Sequence, residues 1–309
     1  MTKKPTILIT GSSGTIGTRL CEILLKEGYS IIGVDRKPNK WVPSLNTITE
    51  IRELLTPDPL NGFPKVDMII HLAANARVYD LVKNPELAME NTLTTFNVLE
   101  FARQNNIKKV IFASSREVYG NDKDKIFPYS CEFDAEIDMC ESSYAASKIF
   151  GETMLRAYKA CYGINFLILR FSNVYGMYDD SDRFIPMMIR KMKQNKPVSI
   201  YGAGKMLDFT YIDDAINGII LSIRSFDTKQ NQVFNIASGE GSHLTLVAKK
   251  LKKLLNSKSK INIKQSRAGE VHQFIADLTS AKKRLGYKPT TDLNTGLKKT
   301  IEWYSEKGL

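Results

Sequence analysis

An apolar strand that runs straight into a glycine-spaced turn and then a helix limits this chain more than any other feature. Residues Thr6 to Thr10 are followed at once by GSSGTIG, with Gly11, Gly14 and Gly17, and a helical pattern continues from Gly14 to Lys26. The first glycine permits a tight turn, the second lets backbone N–H groups approach a pyrophosphate, and the third lets the helix pack on the strand. Asp35 closes a second strand pattern, Ser30 to Asp35, 18 residues past Gly17. A carboxylate there can hold a ribose 2′-hydroxyl and repels a 2′-phosphate, which favours NAD over NADP. The neighbouring Arg36 and Lys37 pull the other way, since either can pair with that phosphate.

Further β-branched runs follow at Val66 to His71, Lys109 to Ala113 and Asn165 to Arg170, separated by helical patterns at Pro85 to Gln104 and Ser143 to Tyr162. Apolar runs spaced by helix-length segments describe a parallel sheet covered on both faces, and right-handed crossovers make it doubly wound. The expected fold is therefore α/β, a Rossmann-type sheet. Beyond Gly176 the pattern becomes helix (Phe184 to Gln194), strand (Val198 to Tyr201), helix (Asp213 to Arg224) and strand (Val233 to Ile236). Helices follow near Leu244 to Leu255 and Thr295 to Trp303. The expected division is a dinucleotide-binding domain over 1–176 and a smaller mixed α/β C-terminal substrate lobe over 177–309. The two are packed around a cleft, with the chain free to cross between them.

The 309 residues can bury a core without disulfide or metal support. The four cysteines show no C-x-x-C pairing and the three histidines are scattered, so no metal site or disulfide framework is expected. No apolar run reaches the roughly 18 residues of a membrane span, and the N-terminal stretch does not read as a signal peptide. A reducing cytoplasm is the expected compartment. The excess of 44 Lys+Arg over 33 Asp+Glu, +11 in formal charge, lies partly around Arg190 to Lys196 and Lys249 to Lys264. Both clusters alternate with apolar residues at helical spacing and carry no interleaved aromatics, which describes wet helix faces rather than a nucleic-acid groove.

The segment SSYAASK places Tyr144 and Lys148 four residues apart, on one helical face. An ammonium near a phenol stabilises the phenolate, and the positive end of a helix adds to it, drawing the tyrosine down from about 10 towards the range of a general base. Upstream, the strand ending at Ala113 leads into Ser114 and Ser115. Carboxyl ends of parallel strands border the ligand crevice, so a hydroxyl there can meet the substrate oxygen that Tyr144 deprotonates. The other reading of these serines is a cap for the turn.

The ordered series GSSGTIG, Asp35, HLAA (His71 to Ala74), Asn91, ASSREVYG (Ala113 to Gly120), YAASK (Tyr144 to Lys148) and LRFSNVYG (Leu169 to Gly176) resembles the extended short-chain dehydrogenase/reductases that act on nucleotide sugars. These are the NAD-dependent epimerase/dehydratase family. YGAG (Tyr201 to Gly204), DFTYIDD (Asp208 to Asp214), RAGE (Arg267 to Glu270) and the terminal EWY continue the likeness. The resemblance implies that Thr15, Ile16, Leu72, Ala73, Ala74 and Asn91 serve the cofactor, and that Lys148 also bonds the nicotinamide ribose. It implies Ser115 and Tyr144 as the catalytic pair. It further implies that Asn173 contacts the diphosphate, Arg267 neutralises it, Tyr201 lies near the nucleobase, and Arg183 and Phe184 border the substrate. The chain departs from the family at Leu207, where an arginine clamp is usual, so the diphosphate must lean on Arg267 or on Lys205. It departs again at Met177, where proline is common. The adenine-facing aspartate is not evident, and Glu50 or Glu53 is its candidate replacement.

The expected reaction is NAD-dependent 4-epimerisation of a nucleotide sugar, a UDP-hexose first, through a transient 4-keto sugar. The Asp-Glu pair that dehydratases of the family place before V-Y-G is here Arg116 and Glu117. Glu117 keeps open a dehydratase, or a UDP-uronate decarboxylase or epimerase, in which Arg77 or Arg116 would meet the uronate. A non-catalytic NAD sensor is the reading from another class, and Ser115, Tyr144 and Lys148 argue against it. The resemblance implies that helices Pro85 to Gln104 and Ser143 to Tyr162 meet their copies in a homodimer; their apolar residues Leu93, Phe96, Leu99, Phe150 and Leu155 suit either that face or packing onto the sheet.

Overall fold

The computed structural model of the protein describes residues 4–120, 128–131, 138, 140–267 and 269–308. At its centre seven strands pair in parallel. Their order is β10 (Gln232–Ile236), β6 (Asn165–Phe171), β5 (Lys109–Ser115), β4 (Met68–His71), β1 (Thr6–Thr10), β2 (Ser30–Asp35) and β3 (Thr49–Ile51). Strand order reverses on either side of β1, so the crevice beyond the carboxyl ends of β1 and β4 is where such a sheet takes ligands.

Both faces of the sheet are buried, which explains why its strands read as unbroken apolar runs. Ile7 and Ile9 of β1, Ile111 of β5, and Leu167 and Leu169 of β6 pack on the side of α1 (Thr15–Lys26) and α6 (Ile212–Lys229). Leu8, Val110, Phe112, Phe166 and Ile168 pack on the other side against α3 (Glu86–Gln104) and α4 (Ser143–Tyr162). Strand β10 and helix α6 complete the sheet and its cover although they lie beyond Gly176. The chain thus crosses back over the boundary expected there, and residues 212–236 belong with the first lobe.

The second lobe is built around β9 (Met206–Tyr211), which pairs with β7 (Asn173–Tyr175), β11 (Gly241–His243) and β13 (Gln273–Phe274). A two-stranded parallel ribbon, β8 (Val198–Tyr201) with β12 (Ile261–Lys264), lies alongside, with α5 (Phe184–Lys193), α7 (Leu244–Leu254) and α8 (Leu293–Glu306). Fully buried Asp208 on β9 ties the lobe together. It accepts from the Ser172 hydroxyl at 3.0 Å, the Ser238 N–H at 2.9 Å and the Gly239 N–H at 2.9 Å. Among the described residues no helix is long and apolar enough to cross a membrane.

His71 at the end of β4 is buried, with Nδ1 2.7 Å from the Thr10 hydroxyl and Nε2 3.1 Å from that of Thr95. It is a neutral cross-link between β1, β4 and α3. Burial, aided by the charge of Lys148, pushes it down to about 3. Between that value and 6.5 the unfolded chain binds the extra proton, so stability falls as pH falls through this window. From pH 7 to pH 5 this one group is expected to remove about 2 kcal/mol of stability. Urea midpoints at the two pH values, for wild type and His71→Asn, check it: the variant should lose less than the wild type over the same interval.

Candidate active site

The glycine turn closes because two Cβ atoms are missing. Gly11 has φ +74°, and a Cβ there would lie 2.8 Å from the Ala73 nitrogen. A Cβ on Gly17 would lie 2.0 Å from the Gly11 carbonyl oxygen, so only glycine lets α1 start this close to the turn. Helix α1 begins at Thr15 with Gly14 as its N-cap and no side-chain cap, which leaves first-turn N–H groups for an anion. The Asp35 carboxylate accepts from the Ser13 N–H at 3.0 Å and the Lys37 N–H at 3.1 Å, which fixes it beside the turn. This cradle and carboxylate match the pyrophosphate and ribose of a dinucleotide.

A cleft of about 810 Å³ opens from that turn across the ends of β4 and β5 to the second lobe. Gly11, Gly14, Thr15, Ile16, Gly17, Leu72 and Ala74 line it on the cofactor side. Ser115, Glu117, Tyr144, Lys148, Asn173, Arg183, Phe184, Tyr201 and Arg267 also line it. Four of the expected cofactor residues are not among those that line the cleft. Asp35 and Arg36 are outside the lining, and the Arg36 guanidinium donates to Asn75 Oδ1 at 3.2 Å. Ala73 packs behind Gly11, its N–H directed at the Thr10 hydroxyl 3.3 Å away. Asn91 is buried and spends its amide on the chain: it accepts from the Asn75 N–H at 2.7 Å and donates to the Asn75 carbonyl at 3.0 Å. It therefore shapes the loop after β4. Glu50 and Glu53 also lie outside the lining.

Ser115 is the last residue of β5, and Tyr144 and Lys148 lie in the first two turns of α4, capped by the Ser142 hydroxyl on the Ala145 N–H at 3.2 Å. Tyr144 is buried, with the Ser115 hydroxyl near enough to favour its phenolate. The expectation that Lys148 draws the phenol down is not met in the protein alone. Burial raises Tyr144, and the opposing cation with the largest effect is Arg183, from the second lobe. The Lys148 ammonium instead donates to the Ala113 carbonyl at 2.8 Å and lies over the Phe112 ring. Burial pushes it down to about 8, against the pull of Glu152.

Beneath these groups is a network that the sequence reading missed. Arg170 on β6 grips Glu152 of α4 with Nε at 2.9 Å and Nη2 at 2.7 Å, and the Ser114 hydroxyl donates to the same carboxylate at 2.6 Å. The available signal was Glu152 standing four residues after Lys148, with an arginine inside an otherwise apolar strand.

Towards the second lobe the cleft is strongly cationic. Among its described lining residues are eight cations, Arg77, Arg116, Lys148, Arg183, Lys191, Lys205, Lys264 and Arg267, against the three carboxylates Glu117, Asp182 and Glu270. That excess suits a diphosphate. The Arg267 guanidinium is stacked between the rings of Tyr201, 3.7 Å away, and Tyr79 of α2 (Val78–Lys83), 4.2 Å away. Tyr79 carried no signal in the sequence. Lys205 is buried and paired with Glu270. The Asn173 amide donates to the Asp208 carbonyl at 2.9 Å, and its oxygen lies 3.4 Å from Arg116.

Residues 7–237 match the sequence profile of the NAD dependent epimerase/dehydratase family. The chain is 34% identical to an uncharacterised protein of Methanocaldococcus jannaschii, over 98% of this chain and 97% of that one. It is 29% identical to the UDP-glucuronate 4-epimerase of Thermodesulfobacterium geofontis, over 97% and 96%. Among solved structures it is similar to the UDP-glucose 4-epimerase of Thermotoga maritima with UDP-glucose, with TM-score 0.90 and 28% identity over 98% of this chain and 100% of that one. It is also similar to the UDP-glucuronic acid 4-epimerase of Bacillus cereus in complex with UDP-glucuronic acid and NAD, with TM-score 0.89 and 28% identity over 98% and 99%.

The buried Lys148 ammonium is a cost to folding at neutral pH. Its folded value of about 8 lies below the 10.5 of an exposed lysine. Between the two values the unfolded chain binds more protons, so wild-type stability rises with pH. Lys148→Met removes that cost. The variant is expected to be more stable than wild type by roughly 1–2 kcal/mol at pH 7, net of the lost Ala113 hydrogen bond. Its advantage should shrink as pH rises through 8 to 9.5. Denaturant midpoints at the two pH values check this, and a variant less stable at pH 7 contradicts it.

Proposed function

Because the chain belongs to the NAD-dependent epimerase/dehydratase family, we propose that it interconverts the C4 epimers of a UDP-sugar with NAD as resident cofactor. The observation that carries this reading is the meeting of Ser115, Tyr144 and Lys148 in one cleft with the glycine turn, opposite a cationic lobe. Tyr144 takes the proton from the sugar's 4-hydroxyl, and the Ser115 hydroxyl, which lines the same cleft, holds that oxygen in line. Lys148, whose ammonium is held on the Ala113 carbonyl of β5, would bond the ribose next to the nicotinamide. Bound NAD supplies a hydride acceptor that becomes a donor in the second half-reaction, and a positive charge that favours the phenolate. The cationic side of the cleft, Arg267 foremost, keeps the diphosphate fixed while the 4-keto sugar turns its other face. Tyr144 then returns the same proton, so no second acid or base is required.

The dehydratase reading needs a carboxylate free to take a proton from the neighbouring carbon. Glu117 has one oxygen 2.7 Å from Arg116 Nη2, and the partner aspartate is absent, which supports epimerisation. Asp35 supports NAD over NADP. The free thiols of Cys21, Cys131, Cys140 and Cys161 suit a cytoplasmic enzyme. Exposed Met89, Leu93 and Phe96 on α3 support a homodimer. Leu99 and Leu155 pack against the sheet, the other placement open to the apolar residues of these helices.

Two outcomes test the reading. Tyr144→Phe, loaded with NAD and given UDP-glucose, is expected to lose at least about 100-fold in the rate of C4 inversion followed by NMR, and an unchanged rate refutes the assignment. Phe96→Glu is expected to turn a wild-type dimer into a monomer by light scattering, and a wild type already monomeric at micromolar concentration refutes the dimer.

A further inference from the structure

Arg116 and Glu117 form a buried ion pair that the epimerase chemistry does not use. Arg116 is 8% exposed and Glu117 4%, and Nη2 of one lies 2.7 Å from Oε1 of the other. The other half of each group is left over: Arg116 Nη1 and Glu117 Oε2 are buried without a hydrogen-bond partner. Both residues line the cleft. A buried donor and a buried acceptor left over in one ion pair that lines a ligand cleft are costly unless a ligand satisfies them.

Their position narrows which part of the ligand does so. Arg116 and Glu117 open the helical turn that follows Ser115, and the Ser115 hydroxyl accepts from the Glu117 N–H at 3.2 Å. If O4 of a hexose lies between Ser115 and Tyr144, the groups flanking Ser115 face the substituents on the two carbons bonded to C4. These are the 3-hydroxyl and the group on C5. A hydroxyl donates to Glu117 Oε2 and accepts from Arg116 Nη1 at once. A carboxylate on C5 satisfies only the arginine, whose charge Glu117 already offsets, and it brings two anions together in a dry pocket.

We propose that the Arg116–Glu117 pair selects the sugar: it accepts a hydroxymethyl group on C5 and rejects a carboxylate, so the site takes neutral UDP-hexoses in preference to UDP-uronates. This deepens the epimerase reading and rests on its placement of the sugar. It distinguishes the chain from its relatives that act on UDP-glucuronate.

The test measures binding, so that it stands apart from turnover. The NAD-saturated full chain carrying Tyr144→Phe is titrated by calorimetry with UDP, UDP-glucose and UDP-glucuronate. UDP-glucose is expected to bind at least about tenfold more tightly than UDP-glucuronate. Adding Glu117→Gln should bring the two within about twofold or invert them, because Arg116 is then free to meet the uronate, whereas Glu117→Asp, which keeps the charge, should retain the preference. Unchanged affinity for UDP shows that each variant is folded with its nucleotide site intact. Equal or tighter binding of UDP-glucuronate by the parent overturns the proposal, as does a preference that Glu117→Gln leaves untouched. A dehydrated or decarboxylated product from the chain with Tyr144 intact also overturns it, since Glu117 would then be acting on a proton. If the binding preference holds but neither sugar is inverted at C4, the epimerase reading fails and the selection stands.

Discussion

Helix α4 lies so close to β5 that a Cβ on Gly151 would come 2.4 Å from the Phe112 ring. Gly151 shares the helical face of Tyr144 and Lys148, seven and three residues before it, so this contact sets how far both side chains reach over the end of the sheet. The same face carries Lys148 over Phe112 and its ammonium onto the Ala113 carbonyl. A larger residue at 151 would lift the helix and carry the phenol away from Ser115. The geometry of the Ser115, Tyr144 and Lys148 cluster is a consequence of core packing.

That packing leaves several charges out of water, and the chain pairs them. Arg170 and Glu152 form a two-pronged bridge with neither side chain more than 1% exposed, and Ser114 joins it. The carboxylate so held also offsets part of the burial penalty on Lys148. Removing one partner would leave an uncompensated charge, which costs far more than a surface pair contributes. The bridge links β5, β6 and α4, the three elements that deliver Ser115, Tyr144 and Lys148.

The order of the larger elements was legible because both-face burial writes long apolar runs: β1, β2, α4 and β8 lie where the pattern puts them, and α3 differs by a residue. Strands such as β3, β7, β11 and β13 are two or three residues long and make their pairings through tertiary context, so they leave no period to read. Residue types with fixed chemistry were equally readable. The glycine turn, Ser115, Tyr144, Lys148 and Arg267 all open on one cleft. Asn91 is bound through its amide to Asn75, and that direction was not legible because it depends on a loop that carries no periodic signal. Tyr79 and Arg183 acquire meaning only once the second lobe is folded against the first.

Arg183 shows what that closure contributes. Tyr144 belongs to the dinucleotide-binding side, yet the cation that most opposes its burial comes from the N-cap of α5 in the other lobe. The lobes are held at this spacing by the Thr15 hydroxyl, from the helix that starts at the glycine turn, donating to the Tyr178 carbonyl at 3.0 Å. The electrostatic setting of the phenol therefore depends on both lobes rather than on one helix. The Tyr-x-x-x-Lys spacing supplies position, and the second lobe supplies part of the charge.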